Sequence, residues 1–312
     1  MTRLLKTILP AALLAAAPAA AYAAPAAPAA HTAKALAEAC EGRDGWIDPA
    51  PPAHIFGNTW YVGTCGISAI LITGPEGHIL IDGGMAEAAP LVLANIAVLG
   101  FKASDVRWIL SSHEHFDHAG ALAALQRATG AQVAALKPAA AVLETGEPSS
   151  NDPQYGMLKG MAPVKVDRIL ADGDSIVAGP IAATAHATPA HSPGSTSWTW
   201  QSCDETFTCR MIAYADSATA ISADSYRFSE HPGRVAQVHE GLARIAALPC
   251  DILLTPHPSA SAMMERFAGK APLTDSTVCR TYAETAKRRF AARLAAENVT
   301  DAAESAAAEL KD

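Results

Sequence analysis

Short apolar runs separated by turn residues cover most of the chain, and their lengths are typical of β-strands. Runs of this kind lie at residues 59–62, 67–73, 78–81, 106–110, 132–135, 175–177, 181–187, 196–200, 207–214 and 252–255. Longer segments with apolar positions at helical spacing lie at residues 86–99, 119–129, 232–248 and 275–297. The pattern therefore predicts a protein that contains both strands and helices.

The order of these elements also indicates how they pack. Strands followed by helices occur in the first half of the chain and again in the second half. This order predicts an α/β fold in which two β-α halves pack sheet against sheet. Residues 143–163 contain several Gly and Pro residues and little periodicity. Because long irregular loops in compact domains are often functional, this segment is a candidate functional loop.

The N-terminus has the features of a secretory signal peptide over residues 1–23. Arg3 and Lys6 form a basic start, an apolar stretch follows, and an A-x-A cleavage site ends at Ala23. The alternative is an Ala-rich helix or a membrane anchor, which two prolines in the apolar stretch disfavour. We therefore expect a periplasmic or secreted protein.

The composition along the chain indicates where the folded part lies. An Ala- and Pro-rich stretch follows the cleavage site, so we expect a flexible leader at residues 24–40. Residues 41–300 carry the strand and helix patterns and are expected to form a single domain. The Ala- and Glu-rich residues 301–312 are expected to be a frayed tail.

Composition and charge exclude several classes of protein. The chain has 312 residues, of which 50% are hydrophobic and 17% charged, which argues against wholesale disorder. Its 31 acidic and 23 basic residues give a net charge of −8, which argues against binding nucleic acid by neutralising phosphates. The apolar run at the N-terminus is too short and too rich in Ala and Pro to predict an integral membrane protein.

Six cysteines fit an exported protein, because disulfides persist in oxidising compartments. Six cysteines allow fifteen pairings, and buried free thiols are an alternative to bonding. Proximity in the sequence favours Cys203–Cys209, within a predicted hairpin. Cys40–Cys65 and Cys250–Cys279 are then the simplest remaining pairs. Three intramolecular disulfides are therefore predicted.

The strongest chemical signal is the segment 112–120, SHEHFDHAG, which directly follows an apolar strand. Imidazole and carboxylate groups are ligands of zinc and similar divalent ions. Because alternate residues of an extended segment point the same way, His113 and His115 can share one metal ion. Asp117 and His118 lie where the chain turns into the next helix and can reach a second ion.

Two distant histidines lie in similar positions. His191 directly precedes a predicted strand within AHSPGS, and His257 directly follows one within TPHP. Because each lies among turn-forming residues at a strand end, we interpret both as further metal ligands. The remaining histidines have no partner motif and are interpreted as ordinary side chains: His31, His54, His78, His186, His231 and His239.

The order of these motifs resembles that of the metallo-β-lactamase superfamily. It runs H-x-H-x-D-H, then H-S-P-G, then A-D-S, then T-P-H-P, and the resemblance covers residues 57–279. The segment Ala215-Asp216-Ser217 and His257 are similar to the third subclass of the metallo-β-lactamases. The segments 58–66 and 197–200, with the six cysteines, are especially similar to the Adelaide imipenemase branch. The resemblance implies a four-layer αβ/βα sandwich.

The resemblance also implies roles for individual residues. The first of two zinc ions would be held by His113, His115 and His191, and the second by Asp117, His118 and His257. Asp117 and His118 would also be catalytic. The residues that would bind substrate are Ser217, Thr219 and Gln154. Asp82 would orient a ligand imidazole, and its alternative role is to cap the turn before two glycines.

The implied activity is hydrolysis of the β-lactam amide bond of penicillins, cephalosporins and carbapenems by a metal-bound hydroxide, which confers antibiotic resistance. The implied partner is a small β-lactam, and we expect a monomer. One alternative is a metal-dependent lactonase or thioesterase, in which Asp216 would face the metals in place of Ser217. The other is an exported zinc-binding protein without activity, which the absence of His-rich tracts disfavours. We expect Ser217 to face the metals, and Asp216 to affect only local structure.

Overall fold

The computed structural model describes the backbone of residues 31–309 and the side-chain surroundings of residues 31–298. The strands are β1 (Ala53–Phe56), β2 (Thr59–Tyr61), β3 (Ile70–Ile72), β4 (His78–Ile81), β5 (Val106–Leu110), β6 (Gln132–Leu136), β7 (Arg168–Leu170), β8 (Ser175–Ala178), β9 (Ile181–Ala187), β10 (Thr196–Cys203), β11 (Cys209–Tyr214) and β12 (Ile252–Leu254). The α-helices are α1 (Ala33–Ala39), α2 (Ala89–Val98), α3 (Phe116–Ala119), α4 (Leu122–Thr129), α5 (Lys137–Thr145), α6 (Pro232–Ala246), α7 (Met263–Phe267) and α8 (Val278–Glu309). Short 3₁₀ turns lie at Ala86–Ala88, Ala103–Asp105, Phe228–Glu230 and Pro258–Ser261.

The strands form two mixed sheets. The first has seven strands in the order β1-β2-β3-β4-β5-β6-β7, antiparallel up to β4 and parallel from β4 onward. The second has five strands in the order β12-β11-β10-β9-β8, with only the β11–β12 pair parallel. The predicted combination of two sheets is therefore confirmed.

Alternating side chains along the strands build the layers. Ile70 and Ile72 of β3 enter the core between the two sheets, whereas Leu71 joins a separate core on the opposite face. On β11, Tyr214 enters the core between the sheets, and Ala213 packs on the outer side. Because successive residues of a strand point to opposite faces, each fully buried strand contributes to two layers.

Helices cover the outer face of each sheet. Apolar residues of α2, α4 and α5 pack on the first sheet, and those of α6 and α8 pack on the second. The architecture is the predicted four-layer αβ/βα sandwich. None of the helices in the described residues is long and apolar enough to cross a membrane.

Some elements differ from the sequence prediction. Strands β1 and β7 and helix α5 were not predicted, and α5 extends into the start of the segment 143–163 that was predicted to be irregular. The helix ends at Gly146, which adopts a left-handed conformation with φ of 75°. From there to residue 163 the chain has no regular element, so the rest of the predicted loop is found.

The N-terminal part of the described chain is ordered. Thr32 caps α1 by accepting a hydrogen bond from the Ala35 N–H, and Leu36 is fully buried. The predicted flexible leader is therefore wrong over residues 33–40, because burial of α1 and a disulfide at Cys40 fix this segment. The predicted signal peptide and residues 24–30 lie outside the described residues.

The predicted tail is only partly described. The backbone of α8 continues through residues 301–309, so a helix extends into the segment predicted to fray. Residues 310–312 lie outside the described residues.

Three disulfides join the pairs predicted from the sequence: Cys40–Cys65, Cys203–Cys209 and Cys250–Cys279. The first fastens α1 to the loop after β2, and the second closes the β10–β11 hairpin. The third links the segment before β12 to the start of α8. They indicate that the protein folds in an oxidising compartment.

Removing these disulfides should lower stability unequally. Cys250–Cys279 closes a loop with a sequence separation of 29, against 6 for Cys203–Cys209. Chain entropy predicts a loss of roughly 3–4 kcal/mol for the Cys250→Ser/Cys279→Ser variant and about 2 kcal/mol for the Cys203→Ser/Cys209→Ser variant. Urea denaturation of both variants measures the two losses. An equal loss in both, or a larger loss in the Cys203→Ser/Cys209→Ser variant, would contradict the entropic explanation.

Candidate metal centre

The predicted site residues meet at one edge of the sandwich, where several strands end. Asp82 follows β4, and residues 111–118 follow β5 and enter α3. Ser217 follows β11, and His257 follows β12. His191 lies in the connection from β9 to β10. The structure therefore brings together side chains that are far apart in the sequence.

His113, His115 and His191 form a first cluster. All three are buried, and one ring nitrogen from each lies within 4.8 Å of the others. The Nε2 of His113 is buried and has no hydrogen-bond partner. Because a buried polar atom without a partner is costly, this nitrogen fits a metal ligand. The three imidazoles are therefore close enough to one another to hold one metal ion.

Asp117, His118 and His257 form a second cluster. The His118 Nε2 lies 3.1 Å from the Asp117 Oδ2 and 3.1 Å from the His257 Nε2, and the latter is 3.3 Å from the Asp117 Oδ2. Ligand atoms about 2.0–2.1 Å from a tetrahedral zinc ion lie about 3.3–3.4 Å from one another. The spacing of these atoms is close to that of a zinc ligand set.

Hydrogen bonds orient the imidazoles of the first cluster. His113 donates through Nδ1 to the Asp216 Oδ1 at 2.8 Å, and His191 donates through Nδ1 to the Thr219 carbonyl at 2.7 Å. His115 donates through Nε2 to Asp152 Oδ2, also at 2.8 Å. Each bond fixes one ring nitrogen as a donor and leaves the lone pair of the other for a metal.

Asp82 lies behind the second cluster. Its carboxylate accepts hydrogen bonds of 2.7 Å from the Ser112 N–H, the Ser112 hydroxyl and the Tyr214 hydroxyl. Its Oδ2 is 3.8 Å from the buried Nδ1 of His118, which has no other partner in the described residues. The N–H groups of Gly83 and Gly84 donate to the His118 carbonyl and not to Asp82. The Asp82 carboxylate therefore faces the His118 imidazole and does not cap the turn formed by Gly83 and Gly84.

Burial and neighbouring charges set the protonation of the predicted ligands. Burial and neighbouring imidazoles hold the pKa of His113 well below its usual value, and burial lowers that of His191 to about 3. Burial opposes the charge on His118, but the Asp117 carboxylate outweighs it and raises the pKa of His118 to about 9. The same contact, together with the hydrogen bond from His257, overcomes burial and lowers the pKa of Asp117. Neutral imidazoles and an ionised carboxylate are the forms that bind metal, so His113, His191 and Asp117 are already in those forms. His118, with its raised pKa, must release a proton when an ion binds.

Two of the three predicted substrate-binding residues, Gln154 and Thr219, contact His191. The side-chain nitrogen of Gln154 lies 3.3 Å from the His191 Nε2. The Thr219 hydroxyl lies 3.2 Å from the His191 Nδ1. Ser217 is buried and directly follows Asp216. Through Gln154, the irregular segment therefore contacts His191 of the first cluster.

A match to the metallo-beta-lactamase superfamily covers residues 62–266 and includes all six predicted ligands. The chain belongs to the metallo-beta-lactamase superfamily. Membership explains why imidazoles and carboxylates converge at this edge, and it supports a metal cofactor.

Solved structures of metallo-beta-lactamases resemble this chain over most of its length. MIM-1 from Novosphingobium pentaromativorans is 63% identical, with a TM-score of 0.84, over 85% of this chain and 98% of that one. SMB-1 is 44% identical, with a TM-score of 0.77, over 81% and 99%. BJP-1, a subclass B3 enzyme of Bradyrhizobium japonicum, is 33% identical, with a TM-score of 0.74, over 82% and 97%. The predicted superfamily and its third subclass are confirmed.

Curated relatives match a smaller part of the chain. A probable metallo-hydrolase of Burkholderia pseudomallei is 28% identical over 167 residues, or 48% of each protein. A hydroxyacylglutathione hydrolase of Anaeromyxobacter dehalogenans is 33% identical over 122 residues, or 39% of this chain and 37% of that protein. The chain therefore spans less than half the length of these relatives.

The sequence analysis gave Asp216 too small a role and did not mark Asp152. Asp216 was expected to affect only local structure, but it bonds directly to the imidazole of His113. Asp152, in the irregular segment, bonds to His115, and no motif marked it. The A-D-S motif marked Asp216 but did not show that its carboxylate meets His113, whereas Asp152 had no signal in the sequence.

Proposed function

We propose that this chain is a zinc-dependent β-lactamase that hydrolyses the β-lactam amide bond and confers resistance to these antibiotics. The observation that carries the proposal is the pair of adjacent clusters, with Asp117, His118 and His257 at the spacing of zinc ligands. The extensive identity with MIM-1, a metallo-beta-lactamase, supports the substrate class.

Two zinc ions fit the donor atoms. His113 Nε2, His115 Nδ1 and His191 Nε2 would hold the first ion, because their other ring nitrogens donate hydrogen bonds. The Asp117 carboxylate and the Nε2 atoms of His118 and His257 would hold the second ion. Zinc in such sites polarises a carbonyl and lowers the pKa of bound water to about 7.

The protein residues would hold the substrate and the attacking water. Asp117 contacts His118 and His257 through Oδ2, and its Oδ1 would accept a hydrogen bond from that water and orient it. Thr219 and Gln154 contact His191 of the first cluster, and together with Ser217 they would bind the carboxylate of the β-lactam. Asp82 would orient the His118 imidazole through the Nδ1 atom of its ring. Such a site uses no protein nucleophile.

The same reasoning gives the location and the assembly state. Three disulfides support a periplasmic or secreted enzyme, consistent with the predicted signal peptide at residues 1–23. We expect it to act as a monomer on a small-molecule substrate, since the predicted metal ligands are brought together within one chain and the site needs no residue from a second copy.

A metal-dependent lactonase or thioesterase is the second candidate, and the hydroxyacylglutathione hydrolase match favours it. That activity would use Asp216 as a metal-bridging carboxylate. Here the Asp216 Oδ1 accepts a hydrogen bond from the His113 Nδ1, on the side of the ring away from the predicted metal. This contact favours the β-lactamase over the second candidate.

Hydrolysis by the purified mature protein tests both candidates. We expect turnover of a carbapenem and a penicillin, little turnover of an acyl-homoserine lactone or a glutathione thioester, and two zinc ions per chain by elemental analysis. A chelator should abolish the activity, and added zinc should restore it. A preference for the lactone or the thioester would contradict the proposal, and a fully active protein with one zinc ion would refute the two-ion site.

Ser217→Ala should mainly raise KM for β-lactams. The hydroxyl belongs to none of the predicted ligand sets, so its loss should weaken substrate binding and leave zinc content unchanged. We expect KM to rise about 10-fold, the equivalent of one hydrogen bond to a charged group, with kcat altered much less. Steady-state kinetics and zinc analysis of the variant measure this. Loss of zinc from Ser217→Ala would contradict the assignment.

A further inference from the structure

His191 is carried by a loop that would not hold its imidazole unaided. Residues 188–195 join β9 to β10 without regular secondary structure. They include a proline on each side of the histidine and a glycine and two serines after it. The loop is nevertheless buried at residues 190–192. Contacts from other elements must therefore fix its position.

The Glu114 carboxylate holds the part of the loop that follows His191. Glu114 is only 4% exposed. Its Oε2 accepts a hydrogen bond from the Ser192 hydroxyl at 2.9 Å, and its Oε1 accepts one from the Gly194 N–H at 3.0 Å. A Cβ atom at Gly194 would lie 2.3 Å from the Glu114 Oε2, so a residue without a side chain is required there. The carboxylate and the loop are closely fitted.

The Arg234 guanidinium holds the part of the loop that precedes His191. Arg234 lies on α6, is 7% exposed, and donates to the Pro189 carbonyl at 2.7 Å and to the Ala190 carbonyl at 3.0 Å. The same helix approaches the loop closely, since a Cβ atom at Gly241 would lie 2.6 Å from the Ala190 nitrogen. A buried charge thus binds each side of the histidine.

We propose that Glu114 and Arg234 are positioning residues that clamp the loop on both sides of His191 and direct its imidazole toward the first zinc site. Glu114 lies between His113 and His115 in the sequence, so one side chain ties two ligands to the third. Moving the loop away would leave the buried Glu114 and Arg234 side chains without their hydrogen-bond partners, which is costly. The loop is therefore held in this position. The inference rests on the proposed function, in which His191 is a zinc ligand.

The test compares Glu114→Gln, Glu114→Ala and Arg234→Met with Glu297→Gln as a matched control. Glu297 is also a buried glutamate, but its carboxylate accepts from Ser229 and Arg293, away from this loop. Titration of the metal-free proteins with Zn²⁺ against a competing chelator gives the two dissociation constants. NMR of ¹⁵N-histidine protein gives the hydrogen-exchange rate of the His191 Nδ1–H.

We expect Glu114→Ala and Arg234→Met to weaken one zinc site about 10–100-fold and to speed exchange of the His191 proton. Glu114→Gln should have a smaller effect, because its side chain can still accept one of the two hydrogen bonds. Glu297→Gln should leave both zinc constants within about 2-fold of the unmodified protein, even if its melting temperature falls.

Unchanged zinc binding in Glu114→Ala and Arg234→Met would overturn the clamp, as would an equal loss in the control variant. If Glu114→Ala does not fold, the zinc titration of Glu114→Gln takes its place in the test. His191→Ala separates the two levels of inference. If it loses a zinc site while the clamp variants do not, only the clamp fails; if it binds two zinc ions normally, the proposed ligand set fails.

Discussion

His118→Ala is expected to remove one zinc ion and to lower kcat/KM for β-lactams about 10³-fold. The His118 Nε2 lies within 3.1 Å of both partner atoms in the second cluster, so its loss removes one of three protein ligands. A bound zinc ion contributes several kcal/mol to stabilising charge in the transition state, and each 1.4 kcal/mol is tenfold in rate. Elemental analysis and steady-state kinetics measure the two effects.

His239→Ala is the matched control, because His239 is exposed on α6 and was interpreted as an ordinary side chain. It should keep two zinc ions and nearly unchanged kinetics. If His118→Ala kept two zinc ions, its assignment as a ligand would be wrong. If it lost one ion and kept full activity, the second ion would have no role in the reaction.

The four layers and most of the site could be predicted because their signals are local. Short apolar runs assigned residues such as Ile70 to strands, and the turn residues after each run marked where the strands end. Metal-binding side chains at strand ends carry their own chemistry, so His113 and His257 could be assigned without knowing the fold. The resemblance to a known family then assigned the ligands to two sites.

The contacts that orient the ligands could not be predicted, because they join distant parts of the chain. His113 and Asp216 are 103 residues apart, and Glu114 and Gly194 are 80 residues apart. No periodic pattern specifies which buried carboxylate meets which imidazole. Helix α1 was missed for a related reason: its Ala-rich sequence resembles a linker, and its order depends on burial of Leu36 and on the disulfide at Cys40.

Asp216→Asn is expected to weaken the first zinc site and to lower kcat/KM about 10–100-fold. The fully buried Asp216 carboxylate accepts the Nδ1–H of His113, which leaves the His113 Nε2 lone pair free for the metal. Asparagine has nearly the same shape but can present an N–H group to the His113 Nδ1. The imidazole would then carry its proton on Nε2, and that nitrogen could no longer bind zinc.

Competition between the protein and a chelator for Zn²⁺ measures the affinity, and ¹⁵N NMR of the histidines reports which nitrogen of His113 carries the proton. Ser217→Ala, at the next position in the chain, is the matched control, and it should change KM without changing zinc affinity. Unaltered zinc binding and an unaltered His113 tautomer in Asp216→Asn would contradict this mechanism. A loss of zinc accompanied by a Ser217→Ala variant with unchanged KM would instead favour Asp216 as a metal-facing residue. Comparing Asp216→Asn with Ser217→Ala therefore distinguishes an effect on zinc affinity transmitted through His113 from an effect on substrate binding.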